Sequence, residues 1–475
     1  MAVQIEDAAR VTPSERQLAW QELEFYAFIH FGMNTFTGRQ WGLGDENPQW
    51  FNPSEFDAVQ WVEACQAAGM RGIILTCKHH DGFCLWPSAY TEHSVKASPW
   101  NNGHGDMVRE VAEACRAKGL KFGVYLSPWD RHEPSYGDSA VYNVYFQNQL
   151  RELLTNYGDV FCVWFDGACG EGKNGKVQEY DWEAYYSIIR ELQPNAVISV
   201  CGPDVRWCGN EAGHTRVSEW SVVPVAMKDN EKIKENSQKM DDVTFAKRID
   251  SREEDIGSRD VLGQVDHVIW YPAEVNTSIR PNWFYDPTDD DKVKSVERLV
   301  ELYEKTVGGN AAFLLNLPPD KRGRIHEQDV KTMVELGGRL RNTYASNLTL
   351  GARVIAVQPC DSANDPAPVL DGLSDTYWTS SEGEVPVELE FDLGSDTIFD
   401  RIVLQEYIPL GQRIEHFLLE FKEAGEWKLL YRGTVVGHKK ICRVEETNAR
   451  YLRLRITESR MNPMIKSFQM YLSAQ

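Results

Sequence analysis

No run of apolar residues in this 475-residue chain is long enough to cross a bilayer, and its first ten residues lack the basic-then-apolar pattern of an export signal. These absences predict a soluble protein without membrane insertion, either cytosolic or the mature form of a periplasmic or secreted one. The ten cysteines contain no C-x-x-C pair and lie scattered in apolar segments, which reads as buried thiols and not as a disulfide framework. Basic residues are in deficit, 50 against 71 acidic ones. The resulting net charge of −21 argues against nucleic acid or an anionic membrane surface as a partner. There is no H-E-x-x-H spacing, no G-x-S-x-G elbow, no G-x-G-x-x-G after the first strand-like run and no internal repeat. His79-His80 is the one pair that invites a metal, but adjacent strand residues point to opposite faces, so no metal is expected. No organic cofactor is expected either.

What is present fits a large globular protein: 42% hydrophobic and 25% charged residues, with 15 Trp, 19 Tyr and 19 Phe, an aromatic supply that suits sugar sites as well as cores. Apolar runs of strand length alternate with helical patterns. The runs are Phe25 to Phe31, Gly72 to Cys77, Phe122 to Leu126, Val160 to Asp166, Val197 to Val200, Val265 to Trp270 and Ala312 to Leu317. A sixth strand is expected within the polar, irregular stretch from Cys201 to Val265. Asp57 and Asp106 are placed to cap helices that Gly69 and Gly119 end, the first helix burying Val59, Val62 and Ala64. This order predicts an α/β chain folded as a (β/α)8 TIM-like barrel. Beyond about Leu350 short alternating runs replace the helices, as in Val387-Glu388-Leu389-Glu390-Phe391 and Tyr451-Leu452-Arg453-Leu454-Arg455-Ile456. They predict a C-terminal all-β sandwich. The boundary falls between Thr343 and Leu350, giving a catalytic barrel over 1–345 and a sandwich over 346–475.

In such a barrel the carboxyl ends of the strands converge on one face. His30, Lys78, His79, His80, Trp129, Asp130, Asp166 and Asn316 all fall there. The organising stretch is Val160-Phe161-Cys162-Val163-Trp164-Phe165-Asp166-Gly167, an apolar run that stops on a carboxylate. A carboxylate boxed by Trp164 and Phe165 is costly to desolvate unless paired or used. Paired carboxylates acting on a glycoside suit this residue set. Asp166 is one, and Glu211, Glu219, Glu274, Asp130 and Glu171 are candidates for the other, among which spacing does not choose.

Three ordered motifs, Phe28-Ile29-His30-Phe31-Gly32, Lys78-His79-His80-Asp81-Gly82-Phe83 and Trp164-Phe165-Asp166-Gly167, give the chain over about residues 15–340 a resemblance to glycoside hydrolase family 29, the retaining α-L-fucosidases. The resemblance implies that Asp166 is the nucleophile. It also implies that His30, His79 and His80 hold fucose hydroxyls together with Trp41, Tyr125 and Trp164. The segment Trp207-Cys208-Gly209-Asn210-Glu211-Ala212-Gly213, followed by Ser218-Glu219-Trp220, is similar to the subgroup cleaving α-1,3/1,4 branches. There the acid/base matches Glu211, 45 residues after Asp166 (211 − 166). The implied substrate is a fucosylated oligosaccharide or glycoconjugate of Lewis type. The alternatives are relaxed or α-1,2 specificity, or a non-catalytic glycan-binding protein on a degenerate barrel.

Gln40 departs from family members that carry glutamate before the aromatic matching Trp41. An aromatic wall for the bare methyl of fucose is expected from Trp164, Trp270 or Trp283, and a second sugar subsite from Trp207 and Trp220. Asp371-Gly372 with Asp375-Thr376-Tyr377-Trp378 gives the C-terminal module a resemblance to a discoidin-type, galactose-binding-like sandwich. Such a module is expected to be an accessory, dispensable for intrinsic catalysis.

Overall fold

The computed structural model describes residues 2–230, 233, 254–358, 365–383 and 385–474. Among the described residues ten strands belong to the N-terminal part: β1 (Phe25–Ile29), β2 (Gly72–Lys78), β3 (Lys121–Leu126), β4 (Cys162–Phe165), β5 (Val197–Val200), β6 (Arg206–Trp207), β7 (Val222–Pro224), β8 (Val268–Trp270), β9 (Ala273–Ser278) and β10 (Ala311–Asn316). Eight of them form a parallel sheet in the order β5-β4-β3-β2-β1-β10-β9-β6. A parallel bridge between Ser199 and Val205 brings its two edges together, so the sheet is a nearly closed barrel.

The alternation along each strand explains the layering. Phe25, Ala27 and Ile29, with Ile73 and Leu75, belong to the large core shared with the helices. Tyr26, Phe28, Ile74, Tyr125, Cys162, Trp164, Ala312 and Leu314 form a separate cluster inside the barrel. Both faces of the strands are thus buried, as parallel sheets require. Asp57 and Asp106 cap the helices Ala58–Ala67 and Met107–Lys118 by accepting the amides of Gln60 and Arg109. Gly119 ends the second helix at φ +75°, where a side chain would be strained. Val59 is not part of the buried face as expected. It is 45% exposed, and Trp61, Val62, Ala64 and Cys65 pack inward.

The expected strand Val265 to Trp270 is corrected. Its ordered part, β8, pairs antiparallel with β7 outside the barrel, and the barrel strand at that place is β9. β9 escaped notice because Glu274 and Asn276 interrupt its apolar pattern, yet both are buried.

The C-terminal sandwich comprises β11 (Arg353–Gln358), β12 (Trp378–Thr379), β13 (Val387–Glu406), β14 (Ile414–Glu423), β15 (Glu426–Gly433), β16 (Lys440–Ser459) and β17 (Met464–Tyr471). All its pairings are antiparallel, and β13 and β16, twenty residues each, lie side by side. Val387, Leu389 and Phe391 alternate inward to meet Leu452, Leu454 and Ile456 in one core. Cys65, Cys77, Cys84, Cys115, Cys162, Cys201, Cys208 and Cys442 are buried, as read from sequence; Cys169 is only half-buried, and Cys360 lies outside the described residues. Among the described residues no helix is long and apolar enough to cross a membrane.

Candidate active site

Asp166 follows the last residue of β4, and two donors orient its carboxylate. The Tyr125 hydroxyl donates to Oδ2 at 2.9 Å and the Ala168 amide to Oδ1 at 2.8 Å. His80 Nε2 stands 3.8 Å from Oδ2, and about a quarter of the Asp166 side chain (24%) faces solvent. Behind it the support runs into the barrel interior. The Trp164 ring stacks on Tyr125 with centroids 5.3 Å apart, and its indole N–H donates to Glu274 Oε1 at 2.7 Å. Tyr26 donates to the other oxygen of Glu274 at 2.5 Å.

The hydrogen bonds around the three histidines set the tautomer of each ring. Asn316 spends both amide hydrogens on Ser278 and the Trp283 carbonyl, so its Oδ1, 2.9 Å from His30 Nδ1, must accept. His30 therefore carries its proton on Nδ1 and offers Nε2 as an acceptor. Ser127 donates its only hydrogen to the Trp129 carbonyl, so it accepts from His80 Nδ1 at 2.7 Å, and His80 likewise offers Nε2. His79 is opposite: Asn34 Nδ2 faces its Nδ1 at 3.4 Å, which leaves the proton on Nε2. Burial drives the His30 pKa down to about 3, against the bond to Asn316, and that of His80 to about 4, against the pull of Asp166. His79 is likewise pushed well down, first by burial and then by His80 and His30. The trio is thus neutral at ordinary pH and presents two acceptors and one donor, a set that can read the hydroxyls of a neutral sugar.

The rings lie close together, His30 to His79 at 5.7 Å and His79 to His80 at 4.1 Å between centroids. Trp41 sets its edge against His80 at 5.6 Å, Phe284 against His30 and His79 at 5.3 and 5.0 Å, and Trp283 lies 5.0 Å from His30. Gln40 Oε1 accepts the amides of both Trp283 and Phe284, at 2.9 and 3.0 Å, and so fastens this aromatic pair.

Glu211 is brought to this group by Trp283, whose indole N–H donates to its Oε2 at 3.0 Å. Burial lifts the Glu211 pKa to about 7. The Trp283 bond opposes that rise and the charge of Asp166 adds to it. A carboxylic acid still protonated near neutrality, within the field of an oriented carboxylate, is a proton donor with the right poise.

The other carboxylate candidates fall away for physical reasons. Asp130 is buried against Lys78 Nζ at 2.8 Å; burial raises its pKa, but that cation and the amides of Glu133 and His132 together hold it below the usual range. Glu219 is buried between Arg206 and Arg216, Glu171 is exposed, and Glu274 lies inside the barrel beneath Trp164. Two expected sugar contacts are not brought to the site. Trp220 is buried under the guanidinium of Arg460, 3.5 Å from its ring centroid, and Trp270 lies in an apolar cluster with Val222, Leu262 and Ile408. Trp207 is half-buried, with its indole N–H 3.0 Å from Asn276 Oδ1. Sequence reasoning gave no place to Phe284, Ser127 or Asn34. Only Phe284, next to Trp283 in an aromatic doublet, left a visible signal.

Comparison with known proteins follows this division of the chain. Residues 19–343 match the family model "Alpha-L-fucosidase", and residues 354–468 match the "F5/8 type C domain". The Arabidopsis thaliana protein named "Alpha-L-fucosidase 1" is 39% identical over 470 residues, 97% of this chain and 87% of its own length. Two solved structures are also similar. A Ruminococcus gnavus GH29 fucosidase in complex with fucose superposes with a TM-score of 0.84 at 31% identity, covering 100% of this chain and 97% of that one. A glycoside hydrolase 29 family member from an unknown rumen bacterium gives 0.80 at 40% identity, covering 98% and 78%.

Proposed function

The chain belongs to the α-L-fucosidases of glycoside hydrolase family 29, and from that premise we propose a retaining enzyme in which Asp166 is the nucleophile and Glu211 the acid/base. Asp166 attacks the anomeric carbon of fucose while Glu211 gives its proton to the departing glycosidic oxygen. The C–O bond to the leaving sugar breaks as the bond to Asp166 forms. Glu211, now ionised, takes a proton from water, whose oxygen displaces Asp166 and restores both residues. His30, His79, His80, Trp41, Tyr125 and Trp164 hold the sugar. The carrying observation is the contrast of environments. Tyr125 and an amide orient Asp166 to accept, while Glu211 is raised to about 7 beside the indole donor of Trp283.

The substrate we favour is fucose α-1,3/1,4-linked in branched, Lewis-type glycans. What supports it is the likeness of Trp207 to Gly213 to that subgroup and the length of the connection between barrel strands β6 and β9, since long connections usually carry function. With Trp220 buried, the second sugar would be read by other residues of that segment. Asp166→Ala should abolish turnover, and azide should restore it as a fucosyl azide inverted relative to substrate. A Lewis-type trisaccharide should be cleaved with higher kcat/KM than the disaccharide lacking galactose or an α-1,2-linked fucoside. Equal kcat/KM on all three would remove the branched-substrate reading and leave the fucosidase.

A further inference from the structure

Glu211 is carried on a connection that leaves the barrel after β6, and its two legs are locked together before they reach the pocket. Cys208 N–H donates to the Glu274 carbonyl at 3.0 Å, tying the outgoing leg to β9. The side chain of Asn210 closes the tip, accepting from the amides of Ala212 and His214 and donating to the His214 carbonyl. At the base Glu219, 1% exposed, accepts from the guanidinium of Arg206 and the amide of Arg216, and Arg216 Nη1 donates to the Cys208 carbonyl at 2.8 Å. Glu219 is therefore a clasp.

The clasp in turn rests on the C-terminal sandwich. Arg460, itself 4% exposed, lays its guanidinium on Trp220 and donates to the Gly257 carbonyl. Gln412 Oε1 accepts from Ser221 N–H at 2.8 Å, and Thr434 donates to the Val217 carbonyl at 3.1 Å. Asn310 links both parts, donating to the Glu219 carbonyl at 2.8 Å while its Oδ1 accepts the His438 amide at 2.7 Å. Val435 packs with Trp220, Val223 and Tyr271. Residues 217 and 219–221 thus meet the sandwich directly or through one side chain.

We propose that the sandwich is a brace for the acid-bearing connection, with Arg460, Gln412 and Glu219 as positioning residues for Glu211. The inference rests on Glu211 being the acid. A connection of this length has many conformations open to it, and a displacement of about 1 Å in a reacting group can cost about a hundredfold in rate. Fixing the base from a second rigid layer removes that freedom.

The test uses the full chain with Gln412→Leu and Arg460→Met, and Lys439→Met as a control. The Lys439 ammonium pairs with Glu24 at the same domain junction, and the contact of Lys439 with Asn310 is made by its carbonyl, which the substitution keeps. Each variant is assayed on a fucosylated oligosaccharide and on an aryl fucoside whose phenol departs without protonation. Both brace variants should lose about tenfold or more in kcat/KM on the oligosaccharide and less than about threefold on the aryl fucoside. Lys439→Met should stay within about threefold of wild type on both. Equal losses on the two substrates, or no loss in folded Gln412→Leu, would overturn the brace. Glu211→Ala measured alongside separates the two layers of the argument. If it too loses equally on both substrates, the acid assignment has failed; if it discriminates and the brace variants do not, the brace has failed.

Discussion

Among the described residues Glu211 has one side-chain hydrogen-bond donor, the indole of Trp283, and that donor works against the burial that raises its pKa to about 7. The sign of the consequence is fixed. The acid must be protonated in the free enzyme, so kcat/KM falls as pH rises through about 7. Removing the indole N–H takes away a bond that favours the charged form, so Trp283→Phe should move that basic limb to higher pH. The measurement is the pH profile of kcat/KM on an oligosaccharide. A limb unmoved in Trp283→Phe would mean that another group titrates there. His30, His79 and His80 were legible as residues at strand ends, but reading His79 and His80 as pointing to opposite faces was wrong, because both follow the end of β2 and their rings lie 4.1 Å apart. Their tautomers were not legible, because Asn316, Ser127 and Asn34, which set them, lie far off in sequence.

At the scale of elements the apolar strands announced themselves, and β9 did not. A barrel strand whose inward side chains are Glu274 and Asn276 breaks the pattern by which buried strands are found. The same feature gives β9 a function, since Glu274 anchors the Trp164 ring that stacks on Tyr125. Glu274→Leu would strand the Trp164 N–H and the Tyr26 hydroxyl, at about 1–3 kcal/mol for each unsatisfied group. Lower melting temperature and lower kcat/KM should follow, with Glu274→Gln intermediate. Burial raises the Glu274 pKa from 4.5 to about 7, against its bonds to Tyr26 and Trp164. The folded protein therefore holds this proton more tightly, and stability from this source is lost as pH climbs through that window. Glu274→Gln, which cannot titrate, should thus compare better with wild type at pH 8, about one unit above the window, than at pH 5, near its lower end. Melting curves at both values check this, and a difference that does not change with pH would contradict it.

For the whole molecule, the two-part division was readable from the change in texture near Leu350, but the closeness of the parts was not. The polar residues that join them are single side chains without periodicity. Glu304 is buried against Arg401 at 2.8 Å and Arg443 at 3.2 Å, and Glu24 pairs with His438 at 2.9 Å. Val435, Ile441 and Tyr471 cover apolar barrel surface that includes Trp220, Tyr271, Tyr303 and Tyr344. A chain cut to residues 1–345 would expose that surface, so it should aggregate or melt well below the full chain. A monomeric fragment with unchanged melting temperature would restore the accessory reading. The central claim, a covalent fucosyl–enzyme on Asp166, is tested most directly by mass. A 2-deoxy-2-fluorofucosyl fluoride, which slows the second displacement more than it prevents the first, should add one sugar per molecule, and peptide mapping should place it on Asp166. A label on any other residue, or turnover of natural substrate with inverted product and no label, would contradict it.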